Sequence, residues 1–216
     1  MIIEKLDPHV WYFTDIIESP EECFKEIKQI ESWKTRFGTK DAEGNWITND
    51  YHGSFVDQAN ISGLSVFKDL KLAVEECTKA YALEHGYGFI KDSVVGPGSL
   101  LGIEMVDMHH PPTSLKTHAD TRQPGRIGVT VLVYLNDDYD GGELSVTIKD
   151  SSEKSVGGFG VDEQKHPDES QDNISFWIKP KQMSVVILPS GSPYFHTAHK
   201  IISGKKYLIK GLFITE

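Results

Sequence analysis

The chain has 216 residues, 38% of them hydrophobic and 25% charged, which suits one globular domain with a real buried core and excludes wholesale disorder. A formal net charge of -10 argues against general nucleic-acid binding, because such proteins need a positive surface to displace counterions from phosphates. Cys23 and Cys77 give neither a disulfide framework nor a thiolate zinc spacing and read as two core thiols. The chain opens Met1-Ile2-Ile3-Glu4-Lys5 without the apolar stretch of a signal peptide, and no run reaches membrane-spanning length, so the expected setting is cytoplasmic with no membrane partner.

Ser19-Pro20-Glu21-Glu22 combines a hydroxyl cap, a proline in the first turn and acidic residues at the positive end of a helix dipole. A helix is expected from there to about Trp33, with Cys23, Phe24, Ile27 and Ile30 forming one buried stripe. A second helix is predicted over 65–84, with Phe67, Leu70, Ala73, Val74, Cys77 and Tyr81 on its buried side and His85-Gly86 ending it. Residues 37–60 between them are polar and turn-rich.

From about residue 98 the pattern changes to strands, predicted at 99–108, 115–120, 127–135, 143–148, 174–178, 184–188, 194–201 and 207–215. The spacers carry turn chemistry, including Asn136-Asp137-Asp138, Gly141-Gly142, Lys179-Pro180 and Ser203-Gly204. Residues 149–173, rich in Lys, Asp, Glu, Ser and Gly, are too long for a hairpin connection, and both a lid and a disordered segment fit them. Helices followed by some eight short strands predict an α+β chain whose second half is an antiparallel sandwich or barrel, and a double-sheet jelly roll fits the count.

His118-Ala119-Asp120 puts two metal-ligand types on one face of an extended strand, since successive strand side chains alternate. A third ligand has to come from elsewhere. Two imidazoles and one carboxylate on one face of an ion, with its other positions open, are the ligand set of non-heme Fe(II) oxygenases. Alone the dyad is a weak signal, because nine histidines in an acidic chain make a chance pair unsurprising. Its context is stronger: Tyr194-Phe195-His196-Thr197-Ala198-His199 ends one strand, Ser203-Gly204 supplies a turn, and Lys206 opens the next strand.

Here the sequence resembles the 2-oxoglutarate and Fe(II) dioxygenases, in particular their prolyl 4-hydroxylase-like branch. In that branch the distal histidine is followed eight residues later by glycine and ten residues later by a basic residue, and His196, Gly204 and Lys206 match. Val131-Leu132-Val133-Tyr134-Leu135-Asn136-Asp137 and Gly141-Gly142-Glu143-Leu144 look like the family's strand and Gly-Gly-Glu turn. Ile178-Lys179-Pro180-Lys181-Gln182 resembles the segment leading to the distal histidine. The resemblance covers about residues 99–216, and the N-terminal helices match only in general character.

The resemblance implies a double-stranded β-helix (jelly roll, cupin-like) with N-terminal helices packed on one sheet. The expected organisation is a single domain over 1–216, with a helical support region at 1–97 and a catalytic core at 98–216. It further implies that His118, Asp120 and His196 hold iron, and that Lys206 pairs with the distal carboxylate of 2-oxoglutarate while the keto-acid end chelates the metal. A cation at the far end of a buried pocket compensates a dianion that is otherwise costly to desolvate. Tyr134 matches the family tyrosine that hydrogen-bonds the same carboxylate, with Thr130 and Leu132 on its strand face; a core tyrosine satisfied by backbone is the competing reading. His109 and His110 lie near the place of a cosubstrate-contacting tyrosine, so either one of them replaces it or both are polar loop residues beside Pro111-Pro112. His199, three residues after His196, faces away on a strand and has Ile209, not a cation, ten residues on.

Two departures stand out. Many relatives carry an arginine seven residues before the tyrosine matched by Tyr134, where this chain has Ile127, leaving Arg126 and Arg122 as candidate substrate contacts. Lys210 shares strand parity with Lys206 and either helps bind an anion or is turned to solvent by a bulge. The implied activity is hydroxylation of an unactivated carbon with release of succinate and CO2, using Fe(II), 2-oxoglutarate and O2 and leaving room for ascorbate. Peptidyl proline, other peptide or protein residues, and small molecules all fit as substrate. The alternative is a cupin-like metal-binding jelly-roll protein, an isomerase, hydrolase or sensor without oxygenase activity, which has no reason to place Lys206 near the metal. A third class is an interaction domain whose histidines only satisfy core hydrogen bonds.

Overall fold

The computed structural model describes residues 1–30, 34–36, 53–56, 64–87, 100–107, 115–119, 127–148, 174–191, 193–199 and 201–215. The chain starts with an antiparallel hairpin, β1 (Ile2–Asp7) and β2 (Val10–Thr14), with Ile3 opposite Phe13. Helix α1 (Pro20–Lys28) begins at the predicted Ser19-Pro20 signal. It ends earlier than expected, where the amides of Gln29 and Ile30 turn back to the carbonyls of Glu26 and Ile27 and tighten the last turn. Helix α2 (Ser65–His85) stops at Gly86, whose φ of 63° provides the left-handed cap that the sequence predicts.

The remaining strands are β3 (Lys34–Arg36), β4 (Gly53–Val56), β5 (Leu100–Asp107), β6 (Leu115–His118), β7 (Ile127–Tyr134), β8 (Asp140–Gly141), β9 (Leu144–Ile148), β10 (Phe176–Ile178), β11 (Ser184–Pro189), β12 (Tyr194–Ala198), β13 (Ile201–Ser203) and β14 (Lys205–Thr215). Eight of them form a large sheet in the order β1-β2-β11-β7-β14-β5-β4-β3, and four form a small sheet, β10-β9-β12-β6. A short β13-β8 pair stands beside them. All pairings among the described residues are antiparallel. From β5 onward the chain crosses repeatedly between sheets: β5 and β7 lie in the large one with β6 in the small one between them, and β11 and β14 alternate with β12 in the same way.

The eight strands expected after residue 98 are present. The first 97 residues, however, are not only helical, because β1 to β4 extend the large sheet at both ends. β2 escapes a periodicity reading because Val10, Trp11, Tyr12 and Phe13 are all buried, so polar residues do not alternate with apolar ones.

Period-two alternation divides the interior. Val129, Val131 and Val133 of β7, with Val185 and Ile187 of β11, pack against Cys23, Phe24 and Ile27 of α1 and Phe67, Leu70, Val74, Cys77 and Tyr81 of α2. The intervening Leu132, Tyr134, Val186 and Leu188 pack against Leu144, Val146 and Ile178 of the small sheet. The two helices therefore cover one face of the large sheet, and its other face closes on the small sheet. Both cysteines are free and buried, as expected. Among the described residues, no helix is long and apolar enough to cross a membrane.

Candidate active site

β12 lies between β9 and β6 in the small sheet, and His196 is directly opposite His118. Directly opposed positions of an antiparallel pair share a sheet face, with their Cβ atoms about 4.5–5.5 Å apart. On its other side His196 faces Val146 across the β9 ladder, and Val146 belongs to the cluster between the sheets. His196 thus points into the interior and is 3% exposed. The register brings two of the three expected ligand positions side by side on the inner wall of the small sheet. Asp120, His109, Arg122 and Arg126 lie outside the described residues, as do residues 149–173. No group of three His, Cys, Asp or Glu side chains able to hold a metal occurs among the described residues.

His199 is committed elsewhere. Its amide donates to the Glu143 carbonyl at 2.8 Å, its Nε2 lies 2.7 Å from Ser145 Oγ, and its ring sits 4.4 Å from that of Trp177. Ser145 is opposite Thr197, on the sheet face away from His196.

On the facing wall, Tyr207 and Ile209 of β14 pack toward the helices, while Leu208 joins the cluster between the sheets. Alternation assigns Lys206 and Lys210 to the inner side with Leu208. Lys206 is 3% exposed, donates from Nζ to the Gly142 carbonyl, and lies 4.8 Å from the centroid of the Tyr134 ring and 5.6 Å from that of Tyr139. Burial disfavours the ammonium and brings its pKa from 10.5 down to about 7, against a smaller upward pull from Glu143.

Local chemistry explains how the lysine is held. Asn136, just past the end of β7, accepts from the Tyr207 amide and donates to the Lys205 carbonyl, both at 2.7 Å. Its side chain therefore continues the β7–β14 ladder beyond the strand and fixes the backbone on either side of Lys206. Gly204 has a φ of 85°, and a Cβ there would lie 2.9 Å from the Asp138 carbonyl oxygen and from Tyr139 Cα. A Cβ on Gly142 would lie 2.8 Å from Tyr139 Cε2. Both glycines let the backbone close around Tyr139, and Gly142 thereby presents its carbonyl to Lys206.

Tyr134 is 1% exposed and lies opposite Leu208 on one side and Ser184 on the other. Burial pushes its pKa well up, so it is a neutral donor. Thr130, on the same strand face, bonds to Ser190 Oγ at 3.2 Å, and Leu132 between them is part of the inter-sheet cluster. Lys210 lies opposite Leu132. The register of β14 shifts against β5 between Ile209 and Gly211 but runs unbroken against β7, so Lys210 keeps the parity of Lys206. Asn136 and Tyr139 were missed by sequence reasoning; the only signal for them was their place between the β7 strand pattern and the Gly-Gly pair.

A buried cation beside a neutral phenol is chemistry that suits a carboxylate, and imidazoles are common metal donors. A family model for the 2OG-Fe(II) oxygenase superfamily matches residues 105–214, a little over half of the chain. No curated protein matches it significantly. Among solved structures, a prolyl hydroxylase from Trichoplax adhaerens in complex with a hypoxia inducible factor peptide fragment is similar with a TM-score of 0.60 and 13% identity, over 96% of this chain and 84% of that one. A Pseudomonas putida prolyl-4-hydroxylase gives 0.51 at 13% identity, over 96% and 94% of the two chains. The viral collagen prolyl hydroxylase of Paramecium Bursaria Chlorella virus-1, in its 2OG complex, gives 0.52 at 13% identity, over 96% and 95%. At such identity the likeness concerns the fold. The family match, which spans the strands carrying His118, Tyr134, His196 and Lys206, goes further: this chain belongs to the 2OG-Fe(II) oxygenase superfamily, whose members use Fe(II), 2-oxoglutarate and O2.

Proposed function

We propose that the chain is a dioxygenase that hydroxylates an unactivated carbon, with peptidyl proline as the leading substrate, and releases succinate and CO2. Its catalytic core is read as a jelly roll over 98–216 within a single domain, supported by residues 1–97. The observation that carries the proposal is Lys206, an ammonium 97% removed from solvent, held between the Tyr134 ring and the Gly142 carbonyl, with a pKa lowered to about 7. Burying a cation there is unfavourable unless a ligand supplies the opposite charge, and a dicarboxylate does so.

The donor set fits the family's metal and cosubstrate. His118, His196 and Asp120 would hold the iron, the two histidines through the register already described. When bound, Fe(II) with 2-oxoglutarate activates O2 for hydroxylation. Lys206 would pair with the distal carboxylate, Tyr134 would donate a hydrogen bond to it, and Thr130 and Leu132 would line the passage from there to the metal. Leu132, Val146 and Val186 exclude water between the sheets. His109 is proposed as a further cosubstrate contact, and Arg122 and Arg126 as substrate contacts. The Trichoplax neighbour, bound to a peptide, supports a peptide substrate. A jelly-roll metal protein without oxygenase activity leaves the buried Lys206 without a purpose.

Anaerobic addition of Fe(II) and 2-oxoglutarate should give the visible charge-transfer band of the chelate. His196→Ala should abolish the band and iron retention, and His199→Ala should keep both. A wild-type protein that retains iron yet gives no band refutes the reading. A peptide panel searched for one-oxygen mass increases then tests the substrate.

A further inference from the structure

We infer that Tyr139 is a further cosubstrate-anchoring residue, whose phenolic hydroxyl donates a hydrogen bond to the same 2-oxoglutarate carboxylate that pairs with Lys206. The inference rests on the reading of the Lys206 pocket proposed above. Tyr139 is 7% exposed, and its hydroxyl is a buried polar atom with no hydrogen-bond partner among the described residues. Buried hydroxyls are nearly always bonded, because leaving one unpaired forfeits its hydration without return. Phenylalanine would fill the same space without that penalty, so the oxygen calls for a partner that arrives from outside the chain.

The surroundings identify that partner. The Tyr139 ring is packed against Gly142, where a Cβ would collide with it, and Gly204 lies against the Tyr139 Cα and Cβ, so the position of the side chain is fixed at both its base and its ring. Lys206 Nζ lies 5.6 Å from the centroid of this ring and 4.8 Å from that of Tyr134, so two phenols flank one ammonium. After burial, the Tyr139 hydroxyl is the next contributor that raises the cost of ionising Tyr134, which places the two phenols near one another. Burial, then the nearby Asp137 and Glu143 carboxylates, push the Tyr139 pKa far up, which keeps its proton in place for donation. An anion entering beside Glu143 meets repulsion that Lys206 alone must offset. A neutral donor adds attraction without another buried charge.

Tyr139→Phe removes only the oxygen. In the Fe(II)-loaded protein under anaerobic conditions, 2-oxoglutarate titrated against the visible band should bind about tenfold more weakly, the size of one lost hydrogen bond to a charged group. The band position should not move, since the keto-acid end is untouched. The melting temperature without ligand should be unchanged or higher, because the deleted hydroxyl had no partner. Lys206→Ala serves as the control. If it weakens binding and Tyr139→Phe does not, the inference about Tyr139 is wrong and the pocket stands; if neither weakens binding, the pocket assignment itself falls. A drop in ligand-free melting temperature in Tyr139→Phe would mark the hydroxyl as structural and overturn the inference.

Discussion

Replacing Lys206 by methionine should make the ligand-free protein more stable while crippling its affinity for 2-oxoglutarate. Methionine keeps the length and apolar stem of the side chain and removes the charge. A fall in pKa from 10.5 to about 7 means that the buried ammonium is disfavoured by about 5 kcal/mol relative to its unfolded, solvated state. At neutral pH about 4 kcal/mol of this opposes folding. The variant gives up the bond to the Gly142 carbonyl, about 1–3 kcal/mol, so a net gain of about 1–3 kcal/mol remains.

The sign can be read from pH. Between about 7 and 10.5 the unfolded chain keeps a proton that the folded chain has released, so wild-type stability from this group rises with pH through that window and is flat below it. Methionine abolishes the rise, so the advantage of the variant is largest below about pH 7 and shrinks by about 1.4 kcal/mol per pH unit above it. Urea unfolding of both proteins at several pH values between about 6 and 9 measures this. Saturating 2-oxoglutarate should narrow the variant's advantage by about 2 kcal/mol, since the variant lacks a charge-assisted bond worth that much, or about thirtyfold in affinity. A variant that is several kcal/mol less stable, with a pH profile parallel to wild type, would refute the desolvation argument. Equal stabilisation of both proteins by 2-oxoglutarate would refute the ligand assignment.

Asn136→Ala removes the two side-chain bonds that carry the ladder past the end of β7 and should cost about 2–3 kcal/mol in urea unfolding, with weaker 2-oxoglutarate binding because Lys206 loses its fixed backbone. A loss below about 0.5 kcal/mol would show that β14 holds its register without that side chain. Gly204→Ala combines a left-handed backbone with contacts of 2.9 Å to Asp138 and Tyr139 and should cost about 3 kcal/mol or more, whereas Gly86→Ala, left-handed but with nothing within 4 Å, should cost only about 1 kcal/mol. Equal losses in the two variants would show that crowding around Tyr139 contributes nothing.

The sequence by itself determined what depends on near neighbours. Pro20 in the first turn and Gly86 at the cap set where α1 begins and where α2 ends, because both act through local backbone geometry, although the Ser19 hydroxyl does not make the capping bond expected of it. Alternating residues and turn chemistry marked the strands from β5 to β14 other than the short β8 and β13, which read as turns, and the spacing from His196 to Gly204 and Lys206 carried the family resemblance. Tertiary structure decided the rest. β2 was missed because a strand buried on both faces has no alternation to read, and its partner β1, largely exposed, is a strand only through that pairing. The unbroken β7 ladder decided that Lys210 keeps the face of Lys206, a matter of register that one inserted residue would have reversed. Register also set His196 opposite His118, and packing alone trapped Tyr139 beside Lys206. Pairing and enclosure join segments distant along the chain, and no local pattern encodes which of them will meet.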